Sequence, residues 1–202
     1  MTSDDSVLGR LERALNQTQA VIATIRPGDA TLPTPCAGWD VQALVRHLVT
    51  QDLPNFIEAA RGGTPDWTSP PGEWPPGDAG ADWAGTFQDG ARQLLGIWAA
   101  GDLDRPVPGP GGTRAPLRGR ADQQISELAM HSWDLARATA ADVDLDPELA
   151  EHALAWSRGM LRPEHRGPDK AFGVEVPVPA DAPAYDRLAG WFGRDPSWRA
   201  RP

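Results

Sequence analysis

The residues best suited to chemistry lie in one apolar stretch of the sequence, residues 123–139. Gln123, Glu127, His131 and Asp134 follow one another at steps of four, four and three, so a helix would carry them in one stripe. A carboxylate and an imidazole one turn apart need a partner if they are buried. A zinc-like divalent ion accepts both as ligands, which predicts a metal site at Glu127 and His131. The alternative is an exposed Glu–His pair or a structural histidine.

A third ligand is available on an earlier helix of the sequence. His47 lies between Leu44 and Leu48, which mark the buried side of that helix, so we expect its ring to point inward. Three protein ligands with one open position are typical of a catalytic zinc site. The residues His47, Glu127 and His131 are therefore the predicted metal ligands.

Three further polar residues are candidates to orient the ligands or a substrate. Gln51 follows His47 by one helical turn, Gln123 precedes Glu127 by one turn, and Asp134 follows His131. Partners of this kind fix the ring orientation of ligating histidines. Each could instead be an exposed polar residue or, for Asp134, a structural hydrogen-bond partner. Cys36 could be a ligand or a nucleophile, but we expect a partly buried, inert thiol.

Helical periodicity and helix-start signals predict an all-α fold, an antiparallel four-helix bundle with a long crossover. Two proline- and glycine-rich loops are expected at residues 62–80 and 101–117, the second with room for a short extended piece. A short extended segment, residues 171–179, is expected to form an edge strand, and a last helix to follow Pro183. Helix starts are expected at Ser3 or Ser6, Asp40, Asp82 or Thr86, and Asp146, and Pro54 must end, kink or restart the second helix.

Composition limits the class of protein. The 202 residues suffice for one core, and no shift in composition divides them, so we expect a single domain over residues 1–202. The formal net charge of −9 argues against binding nucleic acid. The sequence carries neither a signal-peptide pattern nor a membrane-length apolar run, and its single cysteine is typical of a reducing compartment. A cytoplasmic location without membrane contact is therefore expected.

Two motifs resemble the paired signatures of a known family. Residues 34–41, TPCAGWDV, with Leu44 and His47, are similar to the first signature of the DinB-like superfamily, in its mycothiol-dependent maleylpyruvate isomerase branch. Residues 131–139, HSWDLARAT, are similar to the second. The segments from Phe172 to Pro196 resemble a sub-branch of predicted metal-binding proteins of unknown activity.

The resemblance implies a four-helix bundle that holds a divalent metal, commonly zinc or nickel, on the residues matching His47, Glu127 and His131. It implies a low-molecular-weight thiol such as mycothiol as co-substrate of an S-transferase or isomerase, with a small electrophile as the other substrate. Monomers and homodimers both fit the resemblance. Two alternatives remain open: a non-catalytic metal-binding module or sensor, and a structural bundle that binds no metal.

Overall fold

The computed structural model describes residues 6–66, 82–108, 114–167, 170 and 172–200, and it is mostly helical. No helix among these residues is long and apolar enough to cross a bilayer. Most of the predicted loop at residues 62–80 lies outside the described residues. The elements, in chain order, are α1 (Val7–Ala23), α2 (Val41–Arg46), a π-helical segment (His47–Asp52), α3 (Leu53–Arg61), α4 (Trp83–Ala100), β1 (Pro106–Pro108), β2 (Arg114–Pro116), α5 (Arg118–Thr139), α6 (Pro147–Met160) and α7 (Ala184–Trp191).

Side-chain caps begin four of the helices at positions that the sequence predicts. Ser6, Asp40, Asp82 and Asp146 each accept a hydrogen bond from a backbone N–H in the first turn of α1, α2, α4 and α6. These bonds satisfy N–H groups that have no partner within the helix. The predicted helix starts at Asp40 and Asp146 are confirmed, and Ser6 and Asp82 prove to be the caps where alternatives were open.

The second predicted helix has an unexpected interior. Helical conformation is unbroken from Val41 to Arg61, but the six residues His47–Asp52 form a π-helix between α2 and α3. Pro54 then lies in the first turn of α3, directly after the π-helical segment ends, so it neither ends the helix nor restarts it after a break. A π-helical segment inside an α-helix commonly marks a functional site.

The predicted edge strand at residues 171–179 is wrong. The described two-stranded sheet is the antiparallel pair of β1 and β2, which lies within the loop expected at residues 101–117. Phe172 forms only an isolated bridge with Arg166. Pro177 and Pro179 lack the N–H groups that a ladder requires. The segment instead runs along α7, where the Val176 N–H donates to the Gly190 carbonyl at 2.9 Å.

The helix α5 lies at the centre of the packing. It packs against α1 and α6 and also contacts α2, α3 and α7. Its residues Ile125, Leu128 and Leu135 are fully buried. Because apolar side chains cover α5 on several sides, the polar residues it carries are held at fixed positions inside the protein.

A buried glutamine connects three of these helices and gives a test of the packing. The Gln17 amide nitrogen donates to the Tyr185 hydroxyl at 2.8 Å, and its oxygen accepts from the Asp146 N–H at 2.7 Å.

Tyr185→Phe leaves the Gln17 donor buried without this partner. We expect it to lower the free energy of unfolding by about 1–3 kcal/mol, measured by urea denaturation. Ser197→Ala, which removes an exposed hydroxyl, should change it by less than about 0.5 kcal/mol, and an equal effect of both would contradict the account.

Candidate metal centre

The three predicted ligands come together between the π-helical segment and α5. One donor atom from each of His47, Glu127 and His131 lies within 4.8 Å of the others. The Glu127 Oε2 to His131 Nε2 distance is 3.5 Å, and the two imidazole rings are 5.3 Å apart, edge to face. His131 is buried, whereas the Glu127 side chain is 29% exposed. The cluster therefore has one side that faces open space.

Hydrogen bonds fix the orientation of both rings. The Nδ1 of His47 lies 2.7 Å from Gln51 Oε1, and the Nδ1 of His131 lies 3.1 Å from Asp134 Oδ2. Because amide and carboxylate oxygens accept, each Nδ1 donates, which leaves Nε2 as the nitrogen that can ligate when the ring is neutral. The Nε2 of His131 is the nitrogen that faces Glu127. This arrangement is typical of ligating histidines.

Gln123 is placed differently from the other two supporting candidates. Its Oε1 accepts a hydrogen bond from Arg120 Nη1 at 2.8 Å, and its side chain lines a cavity beside Glu127. Gln51 and Asp134 thus contact ligand candidates, and Gln123 borders the space next to one.

Sequence reasoning missed Asp52. It follows His47 by five residues, the hydrogen-bonding repeat of a π-helix, and its Oδ1 lies 3.8 Å from His47 Nε2. Asp52 is buried, and its Oδ2 has no hydrogen-bond partner among the described residues. Burial and the nearby Glu127 raise the pKa of Asp52 well above its usual range. A spacing of five residues does not place two side chains together in an α-helix, so the sequence predicts no contact between His47 and Asp52 unless the π-helical segment is known.

Sequence reasoning also missed the partner of Asp134. Arg194, from the segment that follows α7, contacts both carboxylate oxygens of Asp134, with Nη2 to Oδ2 at 3.0 Å and Nε to Oδ1 at 3.4 Å. Burial would raise the pKa of Asp134, but the charge of Arg194 and the His131 hydrogen bond outweigh it and lower the pKa. Asp134 is therefore an ionised acceptor that holds the His131 ring.

The electrostatics of the cluster favour a positive charge on the His131 ring. Burial disfavours the charged ring, yet the hydrogen bonds to Asp134 and Glu127 raise the pKa of His131 to about 9. Burial and the charge of His131 lower the pKa of His47 to about 4. Two imidazoles with such different pKa values hold one positive charge between them. The chemistry of the donors and the unpartnered Asp52 oxygen therefore fit a divalent cation.

A second possible ligand set shares His131 with the first. Cys36, His131 and Asp134 also offer donor atoms within 4.8 Å of one another. Arg194 already neutralises Asp134, so this set is less suited to a cation. Burial raises the pKa of the Cys36 thiol to about 11, in agreement with the inert thiol expected. The Trp39 ring contacts both histidines, at 4.9 Å from the ring of His47 and 6.3 Å from that of His131.

The buried ion pair gives a prediction about the support of His131. Arg194→Met leaves the Asp134 charge buried without its cation, so we expect the free energy of unfolding at pH 7 to fall by about 3–5 kcal/mol. Because Asp134 has a lowered pKa when folded, its stabilising contribution is present above the unfolded pKa of about 4 and is lost below it. The deficit of the variant should therefore be constant near neutral pH and shrink as the pH falls below about 4, through the lowered folded pKa of Asp134.

The matched control for this variant is Arg92→Met, which breaks an exposed ion pair with Asp89. We expect an effect below about 1 kcal/mol at any pH, measured by urea denaturation. Equal, pH-independent losses in the two variants would contradict the role given to Arg194.

Comparison with known proteins places these residues in a family. Residues 11–136 match the model of the mycothiol maleylpyruvate isomerase N-terminal domain. Two uncharacterised proteins of Mycobacterium tuberculosis, MT0763 of strain CDC 1551 and Rv0738 of strain H37Rv, are each 32% identical over 192 residues, which cover 91% of this chain and 94% of the relative.

Solved structures show the same fold. A crystal structure of the mycothiol-dependent maleylpyruvate isomerase aligns with a TM-score of 0.53 and 16% identity, over 75% of this chain and 70% of that one. A histidine-to-alanine variant of that isomerase aligns with a TM-score of 0.61 and 14% identity, over 99% and 85%. From the match to more than half of its length, the chain belongs to the mycothiol maleylpyruvate isomerase N-terminal domain family.

Proposed function

We propose that this protein binds a divalent metal ion through His47, Glu127 and His131. We further propose that it uses a low-molecular-weight thiol such as mycothiol, as an S-transferase or isomerase acting on a small electrophile. The observation that carries the metal proposal is the pair of imidazoles whose Nδ1 atoms are held by Gln51 and Asp134. Membership of the family supports the thiol. Zinc and nickel both suit nitrogen and oxygen donors.

Each residue of the cluster has a defined task in this proposal. His47 and His131 would supply neutral nitrogen donors, and Glu127 a carboxylate that offsets part of the positive charge. Gln51 and Asp134 keep the two rings in place. When bound, the metal lowers the pKa of a coordinated thiol and so generates a thiolate near neutral pH.

The reaction itself is ordinary thiolate chemistry. The thiol loses its proton to water, and its sulfur then forms a bond with the electrophilic carbon. In a transfer, the leaving group departs with its bonding electron pair. In an isomerisation, the sulfur adds to one carbon of a double bond and the π electron pair moves onto the rest of the substrate; the pair returns to re-form the double bond as the sulfur leaves, and the thiolate takes a proton back from water. The cavity of about 400 Å³ that Glu127 lines supports an enzyme over a closed structural site.

We propose that residues 1–202 form one domain, an antiparallel four-helix bundle with additional C-terminal elements. The packing of α5 against α1, of α1 against α4 and of α3 against α4 supports this arrangement. We propose a cytoplasmic monomer or homodimer. The formal net charge of −9 supports a partner other than nucleic acid.

Elemental analysis of protein purified without chelator or metal-affinity resin tests the metal proposal. We expect close to one zinc or nickel per chain in the wild type, and its loss in His47→Ala. Gln51→Ala keeps the three ligands but frees the His47 ring, so its metal affinity should fall by about 10- to 100-fold. The control Gln88→Ala changes an exposed glutamine on α4 and should leave the affinity unchanged.

Absence of metal from the wild type, even after addition of zinc and nickel, would contradict the proposal. The thiol proposal needs a separate assay, in which consumption of mycothiol with chlorodinitrobenzene or a related electrophile is followed. Turnover by the metal-loaded wild type and its loss in His47→Ala are expected. A metal-loaded protein that leaves every thiol and electrophile unchanged would favour a metal-binding module instead.

A further inference from the structure

The carboxyl group of Asp52 lies beside the candidate metal centre without being one of its proposed ligands. Its Oδ1 atom is 3.8 Å from His47 Nε2. Among the described residues, the sets of donor atoms that lie within 4.8 Å of one another include His47, Glu127 and His131 but not Asp52. Asp52 is therefore placed to contact a group bound at the centre, not to complete the ligand set.

This carboxyl lies on the ligating side of the His47 ring. Gln51 Oε1 is 2.7 Å from His47 Nδ1, so Nε2 is the nitrogen that can ligate, and Asp52 approaches Nε2. Burial raises the pKa of Asp52, the charge of Glu127 raises it further, and the charge of His131 lowers it. The carboxyl is thus close enough to interact with all three proposed ligands.

The π-helical segment accounts for this placement. His47 is its first residue and Asp52 its last. In an α-helix, with 3.6 residues per turn, residues five apart point to different sides. In a π-helix the hydrogen bonds join residues five apart, so the two side chains lie one turn from each other on the same side.

One oxygen of the carboxyl has no partner in the protein. Asp52 is 4% exposed, and its Oδ2 atom has no hydrogen-bond partner among the described residues. A buried polar atom left unpaired destabilises the fold, and in native proteins it often marks a place where a water, an ion or a ligand binds. The Oδ2 atom is therefore available to a ligand of the centre.

We propose that Asp52 determines which ligand occupies the open position of the centre, by a hydrogen bond between its carboxyl group and the sulfur of the bound thiol. A carboxyl group suits this partner, because it donates to a thiolate when neutral and accepts from a thiol when ionised. The bond orients the sulfur and favours a thiol over a ligand that cannot form it. This inference rests on the proposed function and adds to it a residue that contacts the thiol.

Titration of the cobalt-loaded protein with mycothiol tests the inference, because the sulfur-to-cobalt charge-transfer absorption reports the bound thiol. Asp52→Ala removes the carboxyl group, whereas Asp52→Asn keeps a hydrogen-bond donor of nearly the same shape. We expect Asp52→Ala to bind the thiol about tenfold more weakly than wild type, and Asp52→Asn to bind it within about threefold of wild type. Asp52→Val, which fills the space with an apolar side chain, should behave as Asp52→Ala does.

The matched control is Thr50→Ala in the same π-helical segment. The Thr50 hydroxyl donates to the Arg46 carbonyl at 2.8 Å, so its loss is local to the helix. We expect this variant to bind cobalt and the thiol as wild type does. Elemental analysis should find close to one cobalt ion per chain in every variant, and circular dichroism should find the same helicity.

The outcomes separate this inference from the proposed function. Wild-type thiol affinity in Asp52→Ala and Asp52→Val, or tighter binding by them, would overturn the inference and leave the proposed function standing. Asp52→Asn as weak as Asp52→Ala would overturn the hydrogen bond, and equal weakening in Thr50→Ala would reveal a general effect of the segment. Loss of cobalt from Asp52→Ala would make Asp52 a metal ligand instead. A wild type that takes up no cobalt would remove the proposed function, and the inference with it.

Discussion

Buried carboxylates must be matched by positive charge, and the interior of this protein is arranged around that requirement. Glu127 and Asp134 lie on either side of His131 and Arg194 contacts Asp134, whereas the buried Asp52 beside His47 has a raised pKa, which favours its neutral form. Moving uncompensated charge away from water costs several kcal/mol per ion. A proton on His131 compensates part of this charge, and a divalent cation would compensate more. The raised pKa of His131 is the physical sign of that demand.

The helix α5 serves both the candidate metal centre and the cavity. Its buried residues fix it against α1 and α6, so Glu127 and His131 keep their positions on one side. Glu127 also borders the cavity, with Arg120 two turns earlier on the same helix. In the proposed function, a substrate in the cavity would therefore lie beside the metal ion that Glu127 binds.

The sequence was sufficient for the parts that depend on local periodicity. The caps at Asp40 and Asp146 and the pairing of Glu127 with His131 follow from spacing along a helix. The alternation and prolines of residues 171–179 predict a short or edge strand, but the one described sheet is the β1–β2 pair, and the segment runs along α7 instead. The contact of Asp52 with His47 could not be predicted, because the π-helical segment changes the number of residues per turn on which the prediction depends. Arg194 lies 60 residues from Asp134, and single-sequence patterns do not report such long-range pairs.

The most direct test of the account is a crystal structure of the metal-loaded protein, with anomalous diffraction recorded at the absorption edge of the metal. The account predicts one strong anomalous peak, bound by the Nε2 atoms of His47 and His131 and by the Glu127 carboxylate. Gln51 and Asp134 should remain hydrogen-bonded to the opposite ring nitrogens. A peak on Cys36, or no peak in crystals soaked with zinc and nickel, would contradict it.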